Sequence, residues 1–183
     1  MSSAGNDTIF MVTGHRPAGI GGTYQRHQWV RTQLRDILAK MKEMHGGNLV
    51  ALMGMARGAD TWFGLEAVKL GIRLHIDIPF EGHGDKLGGS DREAYDKLVD
   101  YAEHVEVLAG VPASYGEMVL RFRARNQRMV DRAHYAVAVW SGTPRGGTAH
   151  AVRLLREKGT ITLHVHPGMR TVTMLSGVST PAT

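Results

Sequence analysis

Short apolar runs alternate along the chain with longer stretches whose apolar residues return every three or four positions. That is the pattern of strands buried on both faces, each followed by an amphipathic helix. The runs fall at residues 8–12, 49–53, 72–78, about 105–108, 135–140 and 160–165. Between the first two, Val30, Leu34, Ile37, Leu38 and Met41 recur at helical spacing and predict a helix over about residues 27–44, stopped by Gly46-Gly47. Trp62, Phe63, Ala67 and Leu70 mark the next helix, closing at Gly71. Ser90 with Glu93, and Ser114 with Glu117, have capping-box spacing, so a helix is expected to start at each serine. The second of these reaches about residue 132, with Met118, Phe122, Met129 and Val130 as its inward stripe and five arginines (121, 123, 125, 128, 132) as a basic outer surface. Asn126 falls on the inward stripe, and a buried amide needs a specific partner. A last helix is expected over residues 148–158.

Regular alternation of strand and helix predicts a single Rossmann-like α/β domain, with a mostly parallel sheet of about six strands and helices on both faces. The domain is expected over residues 8–165, after a flexible N-terminus (1–7) and before a loose tail (166–183) in which residues 170–175 have the composition of an edge strand. Residues 81–89 hold four glycines and read as a mobile loop. Three strands run directly into glycine-bearing turns: Thr13-Gly14-His15-Arg16, Gly54-Met55-Ala56-Arg57-Gly58-Ala59-Asp60 and Gly146-Gly147-Thr148. In an open parallel sheet these turns lie at the carboxyl ends of the strands, where ligands bind. The third opens a helix whose first N–H groups form an anion site. None has the spacing of a nucleoside-triphosphate loop or of a dinucleotide fingerprint.

Composition narrows the chemistry. The 183 residues include no cysteine, which excludes thiol nucleophiles and disulfides, and no apolar run approaches a membrane span. A cytoplasmic location is the expectation. The net charge of +5 favours anionic ligands, although basic residues spread along the whole chain also serve solubility.

Taken in order, residues 12–17, Gly54-Met55-Ala56-Arg57-Gly58-Ala59-Asp60, Pro79-Phe80, residues 125–131 and Gly146-Gly147-Thr148 resemble the SLOG superfamily, in particular its YpsA-like branch of phages and bacteria. That superfamily also contains the DprA/Smf DNA-processing proteins and the LOG phosphoribohydrolases. The resemblance covers about residues 8–165. It implies a nucleotide or nucleotide-derived ligand, sensed or sequestered, such as an ADP-ribose derivative in phage–bacterial conflict. A homo-oligomer is implied as well, with no membrane partner and no cofactor. It assigns Gly14, Gly58, Gly146, Gly147 and Thr148 to the phosphate and ribose floor, and makes ligand-binding candidates of Thr13, Gly54, Met55, Pro79 and Arg125.

The remaining candidates carry open alternatives. His15 and Arg16 reach the pocket from the first strand, and Arg16 either forks onto a phosphate or stays a surface residue; Arg57 is a similar case. Asp60 caps its helix or accepts from a ribose hydroxyl. Asn126 and Asp131 bind base or sugar, or Asn126 only ties helix to loop. Trp140 stacks on a base or belongs to the core. LOG enzymes carry a Glu shortly after their Gly-Thr motif, whereas Thr148 is followed by Ala149-His150-Ala151-Val152-Arg153. The catalytic carboxylate is missing from its place, leaving Asp60, Asp131 and His150 as substitutes in a LOG-like nucleotide N-glycosidase. A DprA-like binder of single-stranded DNA is the other alternative. His164 and His166 share one side of a strand, but no metal site is assigned.

Overall fold

A computed structural model describes residues 7–22 and 24–175. Its sheet has seven strands: β1 (Thr8–Gly14), β2 (Leu49–Met53), β3 (Arg73–Ile78), β4 (His104–Val107), β5 (Tyr135–Val139), β6 (Ile161–His166) and β7 (Thr171–Met174). The spatial order is β4-β3-β2-β1-β5-β6-β7, and every pairing is parallel except β6 with β7. Connecting these are helices α1 (Pro17–Ile20), α2 (Tyr24–His45), α3 (Ala59–Lys69), α4 (Gly89–Tyr101), α5 (Tyr115–Arg132) and α6 (Gly147–Lys158), with a short 3₁₀ turn at Gly46–Asn48.

The continuous apolar runs follow from cover on both faces. Along β1, Phe10 and Val12 point into one core with Leu34, Leu38, Phe63 and Leu98 of α2, α3 and α4; Ile9 and Met11 point into a second core with Met129, Val130 and Leu155 of α5 and α6. A strand whose two faces meet two apolar layers has no position left for polar alternation. The edge strand allowed for residues 170–175 forms as β7 and turns six expected strands into seven. Residues 1–6 of the expected N-terminus and 176–183 of the expected tail lie outside the described residues.

The two capping boxes are corrected. Helix α4 starts at Gly89 behind a Gly88 cap without any side-chain bond, so Ser90 lies inside the first turn and no capping box forms there. At α5, Ser114 does accept from the Glu117 N–H (3.1 Å), while the Glu117 carboxylate accepts from Ala113 (2.7 Å), not from the cap residue itself. Residues 81–88 form successive hydrogen-bonded turns. They are anchored by His83 packed edge-on against Phe80 and Phe122, and by Gly84 pressed on the Tyr95 ring.

The arginines of α5 do not form a common basic surface either. Arg132 donates to the fully buried Asp77 of β3 at 2.7 Å, Arg128 pairs with Asp77 and Glu106, and Arg121 pairs with Glu117. Burial of Asp77 on an interior strand explains this, since a carboxylate removed from water draws in cations from the helix above it.

Candidate functional site

Strand β1 leads to β2 on one side and pairs with β5 on the other, so the topological switch point lies between β1 and β5. A cleft of about 940 Å³ opens there. Its floor is the end of β1 (Thr13, Gly14, His15, Arg16), one wall is α5, and the other is the turn into α6 with Gly146, Gly147 and Thr148. Helix α6 has no side-chain cap, and a Cβ at Gly146 or Gly147 would meet nothing within 4 Å. Its first N–H groups therefore face the cleft without an internal acceptor. The Thr148 hydroxyl, in a 9% exposed residue, makes no bond to the protein among the described residues.

The second glycine turn works differently. Asp60 is 4% exposed and its Oδ2 accepts from the N–H groups of Gly54 (3.2 Å) and Ala56 (3.3 Å). Burial pushes its pKa above the ordinary carboxylate range, against the pull of Arg125 and the two N–H donors. Arg125, 7% exposed, donates to the Gly54 carbonyl through Nη1 and to Asn126 Oδ1 through Nε (3.0 Å). Asn126 Nδ2 then donates to the Gly147 carbonyl at 3.1 Å. This relay runs from the second turn, through α5, to the third. The partner required of Asn126 is thus protein on both sides, its link to the loop before α6 included.

Thr13, Gly14, His15, Arg16, Asp60, Arg125, Asn126, Gly146, Gly147, Thr148 and His150 all line the cleft. The other candidates do not. Gly54 and Gly58 clear space for protein: a Cβ on Gly54 would collide with the Arg125 guanidinium, and one on Gly58 (φ +89°) would lie 2.7 Å from the His15 carbonyl oxygen. Gly14 lines the cleft, yet its own Cβ direction is filled by Ala59 and Val139. Met55 (φ +60°) is buried in the α2–α3 core, and Pro79 is buried beyond the cleft. Arg57 pairs with Asp91 at 2.6 Å on the surface. Trp140 lies against the Arg156 guanidinium and the His164 ring, with Nε1 donating to the Thr143 carbonyl. Asp131 is exposed and accepts from Gln127 at 2.8 Å, so it is no candidate for a cleft carboxylate. His164 bonds the Trp140 carbonyl at 2.8 Å, and no cluster of metal-binding side chains occurs among the described residues.

His15 joins two strand ends. Its Nε2 accepts from the Ser141 N–H (3.1 Å) and lies 2.9 Å from the Ser141 hydroxyl, which puts the ring proton on Nδ1. Burial, then His166, lowers its pKa, so the ring is neutral near pH 7. The apolar wall, Tyr115, Met118, Val119 and Phe122, escaped the sequence reading as site residues. Its signal was present, because the stripe of α5 begins a full turn before the part that packs on the sheet. Arg123, Arg145 and Arg153 were also missed. As with Arg16, their side chains make no hydrogen bond or ion pair among the described residues, and Asp60 is the one carboxylate among the lining residues.

A mostly parallel α/β sheet with its cleft at the β1/β5 switch point and an uncapped glycine turn opening the last helix defines a Rossmann-like α/β fold. Comparison with solved structures agrees with that class. DNA processing protein A (DprA) of Streptococcus pneumoniae superposes with a TM-score of 0.59 at 18% identity over 86% of this chain and 50% of that one. DprA of Helicobacter pylori, described for its single-stranded DNA binding mode, gives 0.57 at 13% identity over 87% and 65%. The structural-genomics target TM1055 gives 0.53 at 15% identity over 85% and 72%. The chain thus spans half to two thirds of the two DNA processing proteins. No protein-family model matches the sequence, and no curated protein matches it.

Proposed function

We propose that the cleft binds a nucleotide or nucleotide-derived anion and senses or sequesters it, with an ADP-ribose derivative as the favoured class. One observation carries this reading: the uncapped α6 N-terminus opens on four arginines (16, 123, 145, 153) that have no carboxylate partner among the described residues. Helix N–H groups and unpaired guanidinium groups together recognise phosphate, and the apolar α5 wall offers a surface for a base or ribose. Binding without turnover is favoured because Asp60 is engaged by two N–H groups and Asp131 lies outside the cleft. A LOG-like hydrolase needs a carboxylate beside the sugar.

The purified protein, incubated with AMP, NAD, ADP-ribose, cyclic ADP-ribose isomers and cyclic dinucleotides, should release one of them intact on heating. The Gly147→Glu variant, which places a carboxylate at the helix N-terminus, should release none. Free base among the products would replace binding with N-glycoside hydrolysis.

A second reading, single-stranded DNA along the same cleft, is favoured by the three exposed arginines (123, 145, 153) on its rim and by the likeness to the Helicobacter pylori protein. It predicts oligonucleotide affinity that falls steeply with salt, since each neutralised phosphate releases counterions.

A further inference from the structure

Gly147, His150 and Arg153 recur every three residues on α6, and all three line the cleft. From the helix N-terminus to Arg153 this row runs about 9 Å along the axis. Arg123 faces the same space from α5. Between the two arginines stands His150, whose Nδ1 is buried without a hydrogen-bond partner among the described residues. The charged groups acting on it are Arg123 from α5 and Arg153 and Glu157 from α6, while Arg145 lines the cleft from the loop before α6. Deeper in, Arg125 uses Nε and Nη1 on Asn126 and Gly54, and its Nη2 has no protein acceptor among the described residues. One phosphate on the Gly146–Gly147 turn would satisfy the helix N–H groups and leave this second cationic group without a counter-charge.

We propose that Arg123, His150 and Arg153 form a second anion subsite, so that the ligand carries at least two linked phosphates, and that His150 takes up a proton from solvent when the second phosphate arrives. This deepens the nucleotide reading of the cleft and rests on it. Burial, then Arg123 and Arg153, lowers the His150 pKa, so the ring of the empty cleft is neutral near pH 7. A phosphate beside the imidazole ring supplies the opposite charge and favours imidazolium. No bond of the ligand is made or broken.

Isothermal titration with AMP and with ADP-ribose, in buffers of different ionisation enthalpy near pH 7, tests this. The pyrophosphate diester of ADP-ribose stays fully ionised there, so proton uptake reports on the protein. ADP-ribose should bind about tenfold or more tighter than AMP, with measurable proton uptake. His150→Gln should abolish the uptake, and Arg153→Ala should cost ADP-ribose about tenfold more affinity than it costs AMP, removing the advantage. Equal affinity for the two ligands, or unchanged uptake in His150→Gln, overturns the second subsite and leaves the nucleotide reading standing. A thermal-shift comparison of inorganic phosphate and pyrophosphate separates the remaining cases. Pyrophosphate that stabilises the wild type but not Arg123→Ala, with AMP and ADP-ribose both silent, keeps the paired subsites and discards the nucleoside. Silence of all four probes overturns both.

Discussion

At Gly54 a Cβ would run into Arg125, and at Gly58 it would lie 2.7 Å from the His15 carbonyl oxygen, whereas at Gly146 and Gly147 it would meet nothing within 4 Å. The two turns have the same local chemistry, a strand ending in glycines before a helix. One glycine pair lets protein approach protein, and the other leaves backbone open to the cleft. A glycine turn therefore marks a close approach of something, and only the surroundings say whether that something is the chain itself or a ligand.

The contrast can be broken most severely at Arg125. Arg125→Met withdraws a positive charge from buried Asp60 and removes the donor to Gly54 and Asn126, and should cost about 3 to 5 kcal/mol in urea unfolding. A loss under about 1 kcal/mol would mean that the second turn holds its shape without the relay. Gly54→Ala should follow at about 3 kcal/mol, because the guanidinium it displaces is buried and tied at two nitrogens.

Acid should act on the same side of the molecule. His83 is held down to about pKa 4 by burial, with Arg125 and Arg16 adding to the effect. Its folded value lies below its unfolded value near 6.5, so its contribution is complete above about pH 6.5 and is lost as pH falls toward 4, at most about 3 kcal/mol in all. Urea midpoints across this range should fall in the wild type and flatten in His83→Phe, which keeps a ring beside Phe80 and Phe122.

Asn126→Ala should cost about 1 to 2 kcal/mol, since it leaves the Gly147 carbonyl and the Arg125 Nε–H unmet, and should weaken nucleotide binding by loosening the third turn. The smallest effect sharpens the comparison most. Gly147→Ala should change stability by less than about 0.5 kcal/mol while reducing ligand affinity, the reverse of Gly54→Ala. Equal unfolding costs for the two alanines would erase the distinction between the turns.

Much of this was legible in the sequence. Strands covered on both faces read as unbroken apolar runs, and Asn126 declared its need for a partner by standing on an apolar stripe. The resemblance named Arg125 as a ligand-binding candidate, but its structural tie was not legible in the local pattern, because it is one of five arginines at similar spacing on α5, and what singles it out is a missing side chain on Gly54, 71 positions away. Arg57 and Trp140 misled for a related reason. Each stands at the right point of the chain, and each turns to a partner, Asp91 or Arg156, that local pattern cannot indicate. The Ser90 capping box failed because the chain enters α4 through Gly88 and Gly89, before the serine is reached. By contrast, the row Gly147, His150, Arg153 follows from the helix period alone, and Arg153 stands a turn beyond the place where a LOG-like site would carry its carboxylate.

Strand β1 pairs in register with β5, Phe10 with Tyr135 through Gly14 with Val139, across more than a hundred intervening residues. Such a long loop must close before the pairing gives anything in return, which makes this the slow step expected for a parallel sheet. During synthesis β1, β2 and β3 exist well before β5 and α6 leave the ribosome, so the first half of the cleft waits with one wall. On the proposed nucleotide reading, ligand capture would be a property that the nascent chain lacks until almost the whole domain has emerged, and a ligand present during synthesis would act as a late clamp that favours completed chains over partial ones.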